Sequence, residues 1–341
     1  MSETNTGHRP EEREQLSSFF KGLRETRKLP HDPDTVQKAI IIGLMTIAPT
    51  EVRNSGILTD PHRLAAIDAI TAYQVGLNDK MDFEGSNRTD IDDIVEEARQ
   101  LEIMGETKLK EALAALPETT RMPIEANLAE AIKEIEHTES WIRNKRDNND
   151  VTFQDSEAYR NIVNAISNVA ISSVLFGPEK LKDRTQPIEE PLEIDKISDK
   201  YSWILGSNPS SEVDRVIMIM HNVGMIAQIV DDWHDRDIDT ALSIPTVATT
   251  ALDSANGDAS LAKAFLWRRM DDYKGKAREL GLSKIGTESV TRIVSYGKFG
   301  ANFLVQRGRG SEKIRDFVNK HHGHIREDRW MRGELDLKTT E

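Results

Sequence analysis

Residues 221–245 read HNVGMIAQIVDDWHDRDIDTALSIP, and the fold turns on how this stretch is interpreted. No Asp, Glu, Lys or Arg occurs from residue 216 to residue 230. So long a run without charge has no solvent face, which predicts a helix buried on most sides. Asp231, Asp232, Asp235 and Asp239 follow at once. Asp231, Asp235 and Asp239 stand at i, i+4 and i+8, so a continuing helix carries three carboxylates on one face. Like charges at that spacing repel, and acids near a helix C-terminus oppose its macrodipole. The arrangement therefore requires positive charge nearby. An all-carboxylate cluster suits a hard divalent cation, Mg²⁺ above all, which shares a few carboxylates with waters and phosphate oxygens.

A second stretch has the same design. Residues 64–82, LAAIDAITAYQVGLNDKMD, form another mostly apolar helical run ending in acids, with Asp79 and Asp82 one turn apart. A solvated acidic helix end explains either cluster taken alone. Two long buried helices that each deliver acids at one end are harder to explain as surface decoration.

At these residues the chain resembles the trans-isoprenyl diphosphate synthase and class I terpenoid synthase superfamily. That family carries DDxxD motifs on two facing helices, and Asn78-Asp79-Lys80-Met81-Asp82 and Asp231-Asp232-Trp233-His234-Asp235 are similar to them. Gln228, Gly224 and Ile244-Pro245-Thr246 also match, and the likeness runs from about Leu64 to Leu252. The resemblance implies an all-α, single-domain helical bundle of the isoprenoid synthase type with a central active-site cavity. It further implies a cluster of Mg²⁺ ions on Asp79, Asp82, Asp231, Asp232, Asp235 and Asp239, with Asp79, Asp82, Asp231 and Asp235 as catalytic residues. A prenyl diphosphate is the implied substrate, contacted by Asn78, Arg88, Tyr73, Gln228 and Trp233, and a homodimer is the implied assembly. Arg88 matches the second of two arginines that follow the family's first motif, whereas Asn87 replaces the first. Tyr73 precedes Asn78 by five residues, about 7–8 Å deeper along a helix. In the resembled synthases a bulky side chain there acts as a floor under the prenyl tail. Tyr73, Phe153, Phe176, Trp233 and Phe299 are candidate cavity-lining aromatics, although buried aromatics also serve as plain core.

The departures from the family pattern bear on the reaction. No Gly-Gly-Lys stretch lies between Lys38 and His62, Ile166-Ser167 stand in place of a Lys-Thr pair, and Ser243 stands where a lysine follows the second motif. Loss of these basic elements, with the acids kept, favours a terpene synthase that ionises one prenyl diphosphate and cyclises or hydrolyses the allylic cation. A chain-elongating prenyl diphosphate synthase is the alternative. A non-catalytic partner subunit of the same fold is a third reading, supported by Asn78 in place of an aspartate. His234-Asp235 also suggests a metal phosphohydrolase, which would need histidine ligands upstream.

Composition narrows the field. A net charge of −13 over 341 residues argues against a nucleic-acid partner, which Lys and Arg clusters would have to hold. The absence of cysteine excludes disulfides, thiolate catalysis and Cys-ligated metals. The N-terminal MSETNTGHRPEEREQ has no apolar core, and no run approaches the ~18 apolar residues of a transmembrane span, so a soluble cytoplasmic protein is expected. Residues 1–10 read as a disordered tail, 11–307 as one domain and 308–341 as a charged C-terminal segment in which His321, His322 and His324 are solvated. Helical periodicity covers 89–116, 121–146, 155–176, 195–205, 259–280 and 284–305. A turn is expected at 117–123 and a long loop at 180–194.

Overall fold

The computed structural model describes residues 62, 63, 65–67, 69, 70, 92–181, 183–206, 208–242 and 244–282. Among them the chain forms α-helices joined by turns and two short 3-10 segments, with no strand, so the expected all-α class is found. We label the helices α1 (Asp92–Ala114), α2 (Glu118–Asp147), α3 (Phe153–Phe176), α4 (Ile194–Tyr201), α5 (Glu212–Leu242), α6 (Val247–Ser254) and α7 (Ala259–Glu279). The expected elements at 1–61, 71–91 and 283–341 lie outside the described residues.

Local chemistry sets the boundaries. Thr152 caps α3 in a reciprocal box, its hydroxyl accepting from the Asp155 amide while the Asp155 carboxylate accepts from the Thr152 amide. Gly177 ends the helix at φ +90°, a conformation suited to glycine, and Pro178 follows. The turn expected at 117–123 is shorter than that: α2 begins at Glu118 and contains Pro123. Pro123 and Thr119, four residues before it, are both exposed, so water can satisfy the carbonyl that the proline leaves without a partner. Helix α6 has no counterpart in the sequence reading. Thr246 and Thr249 cap it reciprocally, in a stretch of small and β-branched residues too short to display a helical period.

The core is built around α5. Val216 and Ile217 join a cluster with residues of α1 to α4, Met218 and Ile219 pack on Ala277 and Leu280, and Met225 to Trp233 pack on α6 and α7. One helix thus contributes to three apolar clusters, which explains why residues 216–230 carry no charge. It also corrects the expectation that no run approaches a membrane span: Glu212–Trp233 is long and apolar enough by length and hydropathy. Of its most apolar window, 61% is buried inside this bundle, as befits a central helix.

Buried polar groups tie the helices together. Glu134 of α2 is wholly buried and accepts from Lys200 Nζ and Tyr201 Oη at 2.6 Å each, fixing α4 against α2. On α3, Asn164 Nδ2 donates to the His221 carbonyl of α5 at 2.8 Å, and Asn164 Oδ1 accepts from Asn168 at 3.0 Å. Gly224 makes this contact feasible, because a Cβ there would stand 2.3 Å from Asn164 Oδ1. The Asn164 amide is held at both ends and cannot simply swing aside. Gly224→Ala should therefore cost about 1–3 kcal/mol by overpacking. Gly275→Ala on α7 meets nothing within 4 Å and should be neutral or stabilise by up to about 1 kcal/mol through helix propensity. Urea unfolding of the two variants would check the contrast.

Candidate functional site

The acidic end of α5 carries the second motif. Asp231 is half-buried there, while Asp232 and Asp239 are buried. The backbone of Asp235 continues the helix, but its side chain lies outside the described residues, as do Asn78, Asp79, Asp82, Tyr73 and Arg88. A cavity between the two acid-bearing helices would involve residues 71–91, so the expected pairing of motifs also falls outside them. Ile166, at the position of the family's Lys-Thr pair, is fully buried core.

Asp232 has a role that the spacing of the acids does not suggest. Only 2% exposed, its carboxylate accepts from Arg160 Nη2 of α3 at 3.2 Å and from Gln228 Nε2 one turn back at 2.6 Å. Its other oxygen accepts from the Val247 amide at 3.1 Å. That amide opens α6, so the carboxylate meets a helix N-terminus and its favourable dipole. Burial raises the Asp232 carboxyl, and Arg160, Gln228 and Val247 pull against that rise while Asp231 adds to it. The positive charge required at this helix end is supplied in part by the protein itself. Gln228 accordingly serves Asp232.

Trp233, expected to contact substrate, is buried and packs against α6 and α7. Its ring meets Trp267 edge-on at 6.1 Å, with the Arg236 guanidinium 4.3 Å and the Lys263 ammonium 5.8 Å from its centroid. Phe153 and Phe176 are core as well, the former edge-on to Phe265 at 4.7 Å. Among the described residues no three His, Cys, Asp or Glu side chains gather to hold a metal ion. The carboxylates fit a hard cation by donor type, with one exception in availability: both Asp232 oxygens already accept from protein donors.

No family model, curated protein or solved structure matches the chain.

Arg160 is the residue that sequence reasoning missed, although the sequence carries its signal. Beyond Arg160, α3 has no charged residue, so a lone cation on a helix otherwise bound for the core implies a buried acid elsewhere. The same helix supplies a polar stripe. His221 Nε2 donates to Asn161 Oδ1 at 3.1 Å and Nδ1 accepts from Asn164 Nδ2 at 3.2 Å, which fixes a neutral imidazole. Tyr273 and Arg269 of α7 reach Glu157 and complete the network.

The buried pair and the buried imidazole each have a measurable consequence. Asp232→Asn removes the hydrogen-bonded acid of Arg160 and leaves Glu139 as a buried acid near it, and should cost up to about 3–5 kcal/mol, whereas replacing the pair together (Arg160→Met with Asp232→Leu) should cost less than the two single changes summed. A double-mutant cycle in denaturant measures this. For His221, burial foremost and then Lys276 lower the pKa to about 3. The unfolded chain therefore binds a proton that the native state refuses. Stability is full above the ordinary pKa near 6.5 and falls as pH drops toward 3, by about 1.4 kcal/mol per unit from this group. The difference between wild type and His221→Gln, followed by unfolding from about pH 7 to pH 4, should show that slope.

Proposed function

We propose that this protein is a Mg²⁺-dependent class I terpene synthase that ionises one linear prenyl diphosphate, then cyclises or hydrolyses the allylic cation with release of diphosphate. The observation that carries the reading is the acidic end of α5, where a core helix without charge from 216 to 230 ends in Asp231, Asp235 and Asp239 at one-turn spacing, the described residues being all-helical. On this reading Asp231 and Asp235, with Asp79 and Asp82 of the first motif, hold the metal. When bound, Mg²⁺ supplies the positive charge that a diphosphate needs as its C–O bond breaks. Asp232 acts as a positioning residue. Its bonds to Arg160, Gln228 and the Val247 amide fix the rotation of α5 about its axis, and with it the direction of the face bearing Asp231. The apolar body of the bundle keeps water from the cation.

Purified protein incubated with ten-, fifteen- and twenty-carbon prenyl diphosphates, each with and without isopentenyl diphosphate, tests the proposal by mass analysis of products. Diphosphate release and a hydrocarbon or alcohol are expected without isopentenyl diphosphate, and EDTA should abolish both. Asp231→Asn should lower turnover by about a hundredfold or more, the scale of losing a principal electrostatic stabiliser. Elongated diphosphates formed only when isopentenyl diphosphate is present would replace this reading with a chain-elongating synthase.

A further inference from the structure

Asn127 and Glu130 stand three residues apart on α2, and each holds one polar atom away from solvent. Asn127 Nδ2 and Glu130 Oε1 are both shielded and have no protein hydrogen-bond partner. The two residues line one small space, whose other polar walls are Lys200 and Tyr201 of α4 and Thr185 of the segment between α3 and α4. Apolar side chains of α2 and α3 close the rest. An amide donor or a carboxylate acceptor shut away without a partner is costly, and in native folds such atoms are paired with protein or with ordered water. These two are complementary in kind, since one gives a proton and the other takes one.

The size of the space and the chemistry of its lining select the same occupant. Its volume is about 10 Å³ for the centre of a water-sized sphere, which matches one water molecule. A metal cation would face the Asn127 amide protons and the Lys200 ammonium, and a halide would face the Glu130 carboxylate. Water both accepts and donates. Lys200 Nζ gives one of its three protons to Glu134 Oε1 at 2.6 Å and keeps two for other acceptors. Thr185 Oγ1 gives its proton to the Leu181 carbonyl at 3.1 Å, which leaves lone pairs that can accept. The lining thus offers two donors and two acceptors, as many as an enclosed water takes. Charge favours water as well. Burial raises the Glu134 carboxyl, Lys200 and Tyr201 pull against that rise, and Glu130 adds to it, so the two acids of α2 repel across the site. A proton donated to Glu130 Oε1 eases that repulsion without adding a charge. We propose that one ordered water is bound here, accepting from Asn127 Nδ2 and donating to Glu130 Oε1, and that it joins α2 to α4 and Thr185 as part of the native structure. The site involves none of the acids at the end of α5 and does not rest on the reaction proposed above.

A high-resolution crystal structure of the full-length protein tests this directly. One water is expected about 2.7–3.2 Å from both Asn127 Nδ2 and Glu130 Oε1. A direct bond between Asn127 and Glu130, either side chain turned out to solvent, or a metal ion at the position overturns the proposal. Nuclear magnetic resonance of the ¹⁵N-labelled wild-type protein provides a second measurement in solution. The Asn127 side-chain amide, assigned by its disappearance in Asn127→Leu, should show a cross-relaxation peak to water with the sign of held rather than surface water. Glu130→Gln keeps an oxygen acceptor and should keep the peak, whereas Glu130→Leu removes the acceptor and should lose it. A wild-type amide without the peak, or a peak that Glu130→Leu leaves unchanged, overturns the bridge. Should Glu130→Leu fail to fold, the wild-type crystal structure and the wild-type peak decide.

Discussion

A carboxylate buried without partners is too costly to keep, and the bundle around α5 is arranged so that Asp232 has three. Arg160 comes from α3, Gln228 from the preceding turn of α5, and the Val247 amide from the first turn of α6. These donors converge only if three helices meet in one register. The interaction is a constraint on assembly as much as a source of stability, since a buried pair is worth little against an apolar replacement but severe to leave half-made. It explains why α6 starts where it does. With Thr246 as cap, the first free amide of α6 faces the carboxylate, and the turn through Ile244 and Pro245 is just long enough to bring it there.

A second polar layer works the same way deeper in the bundle. Glu157, Asn161, Asn164 and Asn168 follow one another up α3 at spacings of three and four, a polar stripe on a helix that is otherwise core. Each finds its partner on α5, α7 or α3 itself, and neutral His221 closes the chain of bonds. We infer from this that the polar layer sets the alignment of α3 against α5 and α7, which apolar packing alone would leave degenerate. Gly224 belongs to the same device, for without its missing side chain Asn164 could not lie against α5.

How much of this is legible in the sequence depends on the kind of signal. The helices α1, α2, α3 and α7 announce themselves by length and period, and the charge-free run before Asp231 marks α5 as central. Helix α6 is not legible, because eight residues are too few for a period to emerge and its identity rests on a threonine cap and a contact fifteen residues back. The acids after Val230 are legible as a cluster but not as different things. Spacing puts Asp231, Asp235 and Asp239 on one face, yet it does not say that Asp232, one residue round the helix, faces inward to a guanidinium. Trp233 shows the same limit: a helix rich in apolar residues does not tell which aromatic meets a cavity and which meets another tryptophan.

That division of labour within one short motif follows from helical geometry. Adjacent residues differ by about 100° around the axis, so a pair of neighbouring aspartates at the boundary of a core cannot both face the same environment. One must turn toward the bundle, and Asp232 does so with its charge matched by Arg160. The other, Asp231, then stays half-buried at the edge. A carboxylate anchored by protein donors on three sides holds this end of α5 in place against its neighbours. The same anchor ties α3 to α5 through one buried ion pair.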